Sequence, residues 1–416
     1  MRIIKRFFCL FLLLLLMVGC SENQPTEAWV NATDHGVTPE NTGEENSQAL
    51  QALIDETSVK GGTIYLPAGQ YEFAENGRQT IGSHCITMKS DVSIVGDGDA
   101  TVLKPVGESQ YGLDMFYFND YLDTGEAIYL ENCRFENFVI DASATACEIY
   151  TSAGKGFMMN LIRNCHWENV TVKHTDATGF GVDCPINCTF SYCVAIGCGK
   201  AATEENGGAS GFGIGFGFSE DESISILACK AYNNRKFGFF LEHQGRFNED
   251  MYGAEPKGSF AVSDCFASGN LFGFGGICSM NTVYEACVSE NSRRYGFYFE
   301  NARDSQVVSC RSQNEGEAAF AVVQNDTDGT REVSGISFLR CTGKNSPVGV
   351  MLMQEASSAP MLNNRVECCQ FYGVRYTVHT EGQMQSLALI GNASETTQND
   401  FMSDIADFQN SGNSWN

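Results

Sequence analysis

Two stretches of eleven residues carry the side chains best suited to chemistry. Asn233-Asn-Arg-Lys-Phe-Gly-Phe-Phe-Leu-Glu-His243 and Asn291-Ser-Arg-Arg-Tyr-Gly-Phe-Tyr-Phe-Glu-Asn301 align without a gap. In both, a pair of cations (Arg235 and Lys236; Arg293 and Arg294) leads through Gly-Phe to an aromatic ring (Phe240; Tyr298) and then to a carboxylate (Glu242; Glu300). Two carboxylates flanking a glycosidic bond can cut it by acid and base catalysis. Cations beside them suit an anionic sugar. The proton next to a uronate carboxylate becomes removable once that carboxylate is neutralised by Arg or a metal and a base of tuned pKa is at hand. Lys236 and His243 are the candidate bases, Arg235 and Arg293 the neutralising groups, and Arg294 and Arg246, followed by Lys257, further contacts to an acidic sugar. The same cations would also serve as plain surface partners of Glu242 and Glu300.

The elements that must bring these groups together follow from a repeat. Each stretch starts four residues after a cysteine, Cys229 or Cys287. The same Cys-to-Asn spacing recurs at Cys133, Cys165, Cys310 and Cys341, and Cys193, Cys265 and Cys369 fit the column without the Asn. The tightest intervals, 22 residues from Cys265 to Cys287 and 23 from Cys287 to Cys310, give the bare repeat. Period-two alternation rich in Phe, Val, Ile and Tyr reads as one short strand ending at the Cys, a turn at the Asn, and a second strand opening Gly-Phe. So small a unit cannot bury its own apolar face. Nine copies therefore predict a stacked solenoid, an all-β, single-stranded parallel β-helix.

Strand parity decides which side chains meet solvent. With Phe180, Phe212, Phe239, Phe274, Phe297, Phe320 and Val350 inward, one outer column reads Gly181, Gly213, Phe240, Gly275, Tyr298, Ala321. The next reads Asp183, Gly215, Glu242, Ile277, Glu300, Val323. Rings to stack on sugar faces, acids for hydroxyls and glycines that let a chain lie close describe a polysaccharide cleft. Coils about 4.8 Å apart put Glu242 and Glu300 roughly 9.6 Å from each other at the backbone. That separation is near the upper end for an inverting carboxylate pair. Asp183 lies two coils beyond Glu242, so the three acids could share calcium, the one candidate cofactor, with a uronate substrate; as a plainer role they would solvate strand ends. Loops 141–155, 174–178 and 198–210 leave before the Gly-Phe strand and loops 244–258 and 324–335 after it, which predicts two walls with a trough between. His174, in the first wall with Asp176, is placed to reach that trough as an acid or base.

The column cysteines, on inward parity, predict a ladder of small apolar side chains. Cys184, Cys188, Cys193 and Cys198 crowd within fifteen residues, a spacing compatible with zinc. Cys193 is already spent on the ladder, however, and an exported chain favours a disulfide among the others. The Asn column reads as a stacked turn ladder.

Residues 1–20 carry Arg2, Lys5 and Arg6, then a leucine-rich run too short to span a bilayer, and end Leu16-Met-Val-Gly-Cys20. This is an export signal. Its end resembles a bacterial lipobox, which implies that Cys20 is lipidated and the chain held on a bacterial membrane, at the outer membrane or cell surface. Removing the segment takes away three cations and no acid, moving 26 cations against 51 acids (formal −25) to 23 against 51, or −28. So acidic a surface repels nucleic acid and anionic lipid. Residues 21–43 read as a tether and the start of a cap, 44–400 as one solenoid without a compositional break, and 401–416 as a tail or cap. Within this, Glu44 to Glu56 forms an amphipathic helix with Ala49, Leu50, Leu53 and Ile54 on one face.

Asp34-His-Gly36, that helix, Gly61-Gly-Thr-Ile-Tyr-Leu-Pro-Ala-Gly-Gln-Tyr71 and Asp91-Val-Ser-Ile-Val-Gly-Asp-Gly98 resemble the N-terminal region of the pectate-lyase-like superfamily. These are right-handed parallel β-helix proteins related to glycoside hydrolase family 28 and to polysaccharide lyases. The resemblance covers residues 30–105 or so and implies a helix lying over the open N-terminal end of the stack. It implies carbohydrate chemistry without fixing the reaction. The family 28 signatures Asn-Thr-Asp, Asp-Asp and Gly-His-Gly do not occur in the sequence. Phe237 to His243 and Tyr295 to Glu300 also resemble the active-site strand of mannuronan epimerases, where Tyr-Gly-Phe leads into catalytic Asp and His; the Gly-Phe is kept here and the Asp-Pro-His is not. The expectation is an exported, membrane-anchored monomer that cleaves a uronate-containing polysaccharide by β-elimination. Its alternatives are an inverting glycoside hydrolase using Glu242 and Glu300, or a non-catalytic glycan-binding surface protein.

Overall fold

A computed structural model describes residues 29–79, 81–119, 125–246, 253–326, 332–355, 359–395 and 399–415. The expected export signal, with Cys20, and the first part of the expected tether lie outside the described residues, as does the side chain of Arg246.

Parallel strands stack along one axis into a β-helix. A central coil contributes three strands, Ile224–Leu227, Lys230–Tyr232 and Phe237–His243. Each pairs in parallel with its counterpart in the next coil, Phe260–Ser263, Phe266–Ser268 and Phe272–Ile277. The two-strand repeat expected from sequence is thus a three-strand repeat. A left-handed residue just before the column Cys, such as Ala228 or Ala286 (both φ 53°), bends what reads as one strand into two.

The single cysteine column is also corrected. Pairing of His166 with Thr189 sets Cys165 beside Cys188, while pairing of Thr171 with Val194 sets Cys193 beside Val170. Cys133, Cys165 and Cys188 therefore form one ladder and Cys193, Cys229, Cys265, Cys287, Cys310, Cys341 and Cys369 a second, every member at most 1% exposed. The left-handed bends recur five residues apart, at 132 and 137, 164 and 169, 228 and 233, 286 and 291, so a Cys-to-Asn spacing fits either of two neighbouring bends. Where the second ladder lacks Asn, glycine takes the bend: Gly197, Gly269 and Gly373, with φ of 61°, 71° and 61°. Asparagines that do stack bond amide to amide, Asn169 to Asn137 at 2.8 Å and Asn345 to Asn314 at 3.2 Å. The expected disulfide is not formed: Cys184, Cys188 and Cys198 are free buried thiols, Cys188 in its ladder and Cys184 against the Glu222 carboxylate.

Inside the coil, Phe157, Phe180, Phe212, Phe239, Phe274, Phe297 and Phe320 stack in register. Successive ring centroids lie 4.6 to 5.5 Å apart. A glycine precedes each of these Phe residues except Phe320, which follows Ala319, and the close approach of coils favours it there. A Cβ on Gly238 would meet the Gly273 carbonyl oxygen at 2.7 Å, and one on Gly273 the Gly296 oxygen at 2.6 Å.

The helix spans Gly43–Thr57, opened by a capping box between Thr42 and Glu45. It buries Leu50, Leu53 and Ile54 and touches one strand from each side of the first coil, Gly62–Tyr65, Gly69–Phe73 and Gly82–Thr87. Asn46 and Ser47 donate to the Glu72 and Ala74 carbonyls at 3.1 and 2.8 Å, which occupies backbone acceptors at that end of the stack.

Candidate active-site cleft

The outer acidic column is assembled strand by strand. Asp183 pairs with Gly215, Gly215 with Glu242, Glu242 with Ile277, and Ile277 with Glu300. Asp183, Glu242 and Glu300 line one cleft of about 510 Å³ together with Lys155, Lys236, Glu205, Gln244 and Phe240. One wall is made by the loops that precede the Gly-Phe strands, which contribute Ser152, Thr178, Gly207 and Ser210.

Each polar group on the floor has a defined setting. Asp183 Oδ1 accepts from Gly215 N–H at 2.9 Å and from Gln244 at 3.3 Å. Burial pushes its carboxyl above the usual range, opposed by the Lys155 charge and by those two donors. Glu300 is 9% exposed and accepts from the Tyr298 hydroxyl at 2.9 Å. Burial and the Glu300 carboxylate hold the Tyr298 phenol well above its ordinary value, so it remains a donor. Lys236 Nζ donates to the Asn206 carbonyl at 2.9 Å. Burial lowers its pKa, and the charges of Glu242 and Glu300 pull the other way.

The structure does not bring every expected residue to this place. His243 turns off the cleft: its Nε2 sits 2.8 Å from the Ala254 carbonyl, its Nδ1 accepts from Gly245 N–H at 3.1 Å, and its ring packs edge-on to Phe216. With both nitrogens so engaged it is poorly placed as a base. Arg235 and Arg293 lie instead in a separate depression of about 320 Å³ with Lys200. Arg293 is tied to Glu204 at 3.0 Å and to the Arg235 carbonyl at 2.7 Å. Arg294 grips both oxygens of Glu317, at 2.6 and 3.1 Å, and lies over the rings of Phe272 and Tyr295. His174 occupies a left-handed bend (φ 57°) beside Asp141, away from the cleft. Phe240 lines the cleft, whereas Tyr298 stacks on Phe272 and Tyr295 in an apolar cluster outside the coil and reaches the cleft through Glu300. Among the described residues no three His, Cys, Asp or Glu side chains converge as a metal site. Asp183, Glu242 and Glu300 are spread along the floor and do not fit a shared calcium.

Lys155, Thr178 and Ser210 were missed by the parity argument. They stand two positions before an inward Phe, in line with Phe237, Phe272 and Tyr295, and line the cleft although plain alternation would turn them inward. The signal was present in the sequence as the residue preceding each Gly-Phe. Lys155 is held there by Asp114, fully buried, whose Oδ1 accepts from the N–H groups of Gly154 and Lys155 at 2.8 and 2.6 Å.

Comparison with known proteins agrees with this architecture. Mannuronan C5-epimerase AlgE1 of Azotobacter vinelandii is 40% identical over 78 residues, which are 18% of this chain and 5% of that protein. The A-module of AlgE4 from the same organism matches at 19% identity with a TM-score of 0.64, covering 94% of this chain and 100% of the module. The AlgE6 A-module matches at 18% identity with a TM-score of 0.64, over 92% and 98%. These two structures share the coil stack. Residues 29–237, half of the chain, match the family described as rhamnogalacturonase A/epimerase, pectate lyase-like. The chain belongs to that family.

Proposed function

We propose that the chain is a polysaccharide-modifying enzyme that removes the C5 proton of a uronate residue and expels the sugar at O4 by β-elimination. The observation that carries this reading is the meeting, in one cleft, of half-buried Lys236 with Lys155 and the high-pKa carboxyl of Asp183. The Lys155 ammonium pairs with the uronate carboxylate and stabilises charge developing at C5. Lys236, whose neutral form is favoured by burial, takes the C5 proton. As the C4=C5 double bond forms and the C4–O4 bond breaks, Asp183 gives its proton to the departing oxygen. Phe240 and the Tyr298–Glu300 pair hold the sugar face and its hydroxyls. The C5-epimerase relatives are named for a change at the same carbon, which supports C5 as the reacting centre.

The test incubates the purified chain with acidic and neutral polysaccharides, with and without calcium, and follows ultraviolet absorbance of unsaturated product beside new reducing ends. Absorbance should rise with a uronate glycan and fall about 10²- to 10⁴-fold in Lys236→Met, the usual range for losing a general base. New reducing ends without unsaturation would replace this reading by a second one, which the register favours. In that reading Glu242 and Glu300, two coils apart, act as an inverting pair, and turnover disappears in Glu242→Gln and Glu300→Gln. Binding without any product would make the chain a glycan-binding surface protein. Residues 1–20 support export and a lipid anchor at Cys20, so Cys20→Ser should release the chain from the membrane fraction.

A further inference from the structure

Of the basic residues repeated in the two eleven-residue stretches, Arg293 has no place in the reaction above, yet it is the most elaborately held. Its Nη2 donates to the Arg235 carbonyl at 2.7 Å and its Nη1 to the Gly269 carbonyl at 3.3 Å. Fixed in this way to two neighbouring coils, the guanidinium meets Glu204 with Nη2 at 3.0 Å and Nε at 3.2 Å. Glu204 belongs to the wall segment between Cys198 and Ser210, which contains no strand. Two residues on, the Asn206 carbonyl takes the Lys236 ammonium at 2.9 Å. On the far side the Gly207 carbonyl accepts from the Tyr150 hydroxyl at 2.7 Å and from Ser152 at 3.3 Å.

We propose that Arg293 is a positioning residue: by holding Glu204 it clamps the wall over Lys236 and sets how dry that amine is. A segment without strand pairing opens at lower free energy than the ladder it leaves, so its few side-chain ties decide how long it stays closed. With the wall shut, burial dominates the lysine. With the wall lifted, water reaches Nζ, and the charges of Glu242 and Glu300, in a cleft that Glu205, Asp183 and Lys155 also line, favour the ammonium. Arg293 would thereby act on the reaction from outside the cleft.

The assignment of Arg293 to catalysis rests on Lys236 being the base; the clamp itself does not, and its test needs no substrate. The pH profile of acylation of Lys236 by a small anhydride is read by peptide mass in the parent, Arg293→Ala, Glu204→Ala and the conservative Glu204→Gln. Glu204 is exposed, so its variants leave the coil intact even if Arg293→Ala folds poorly. The midpoint should rise by about one unit in both Ala variants, a roughly tenfold smaller neutral fraction below the midpoint. It should stay nearer the parent in Glu204→Gln, which keeps an acceptor oxygen. Amide exchange across 203–208 should quicken in step. An unchanged midpoint in Glu204→Ala overturns the clamp and leaves the reaction untouched. A shifted midpoint in a chain that acts on no glycan keeps the clamp and removes its catalytic meaning.

Discussion

Single side chains in this molecule are tuned chiefly by burial, and two of them make pH a probe. Lys236 as base requires the neutral amine, so turnover should climb with pH through the Lys236 pKa. Burial places that limb below the ordinary lysine value of 10.5, and a rate-against-pH series on the unsaturated product checks it. Glu222 is a case outside the cleft. It is fully buried and accepts from the N–H groups of Gly217, Phe218 and Ser219, yet burial lifts its pKa from 4.5 to about 7. The folded state then holds this proton more tightly than the unfolded chain, so the Glu222 contribution is most favourable below pH 4.5 and is lost as pH rises through 7. The stability of the parent minus that of Glu222→Gln, from denaturant titrations, should fall by up to about 3 kcal/mol between pH 4.5 and 8. His243 teaches a related lesson about reading the sequence. The alternation that sends Glu242 outward sends His243 the other way, against Phe216, so its exclusion from the cleft was already written in strand parity.

Among the elements, the turns discriminate more sharply than the strands. Asn233 stands in the same left-handed column as Gly197 and Gly269, so Asn233→Gly should change stability by only a few tenths of a kcal/mol. A β-branched residue there should cost about 1–2 kcal/mol, because its Cβ crowds the following carbonyl. Within the strands, Phe239→Ala should cost about 3–5 kcal/mol by opening the middle of a continuous ring stack. Thermal or urea unfolding of these variants checks all three. The Gly-Phe strands were legible because alternation is a rigid rule inside a strand, and it correctly aligned Asp183, Glu242 and Glu300. It does not carry across a bend. Arg235 and Arg293 follow left-handed Asn233 and Asn291, and their direction depends on turn geometry that period-two counting ignores. For the same reason the first two cysteines were assigned one bend out of step.

At the scale of the whole molecule, net charge and coil number govern how a substrate meets the cleft. With a formal charge of −25, the body repels a polyanionic glycan at low salt. Raising ionic strength from about 0.01 to 0.15 M shortens the Debye length from roughly 30 to 8 Å, so KM for a uronate polymer should fall while that for a neutral glycan stays level. Repetition made the solenoid readable from Cys133 to Cys369, but beyond the repeat the expected tail at 401–416 is a further coil, with Gln409–Ser411 and Ser414–Trp415 paired in parallel with Ala388–Ile390 and Ala393–Ser394. The wall loops contain no repeat either, and Glu205 and Asn206 reached the site from them unannounced. The coil that separates Glu242 from Glu300 brings only Ile277 to the acidic column. It acts as a blank spacer, so the gap between the acids is adjustable only in whole steps of about 4.8 Å. Excising that one turn of backbone, from Phe272 to Arg294, would splice Leu271 to Tyr295 in matching register and bring the two acids to adjacent rungs. At that distance, close to the roughly 5–5.5 Å of a retaining pair, stereochemical outcome becomes a property that a single deletion could rewrite.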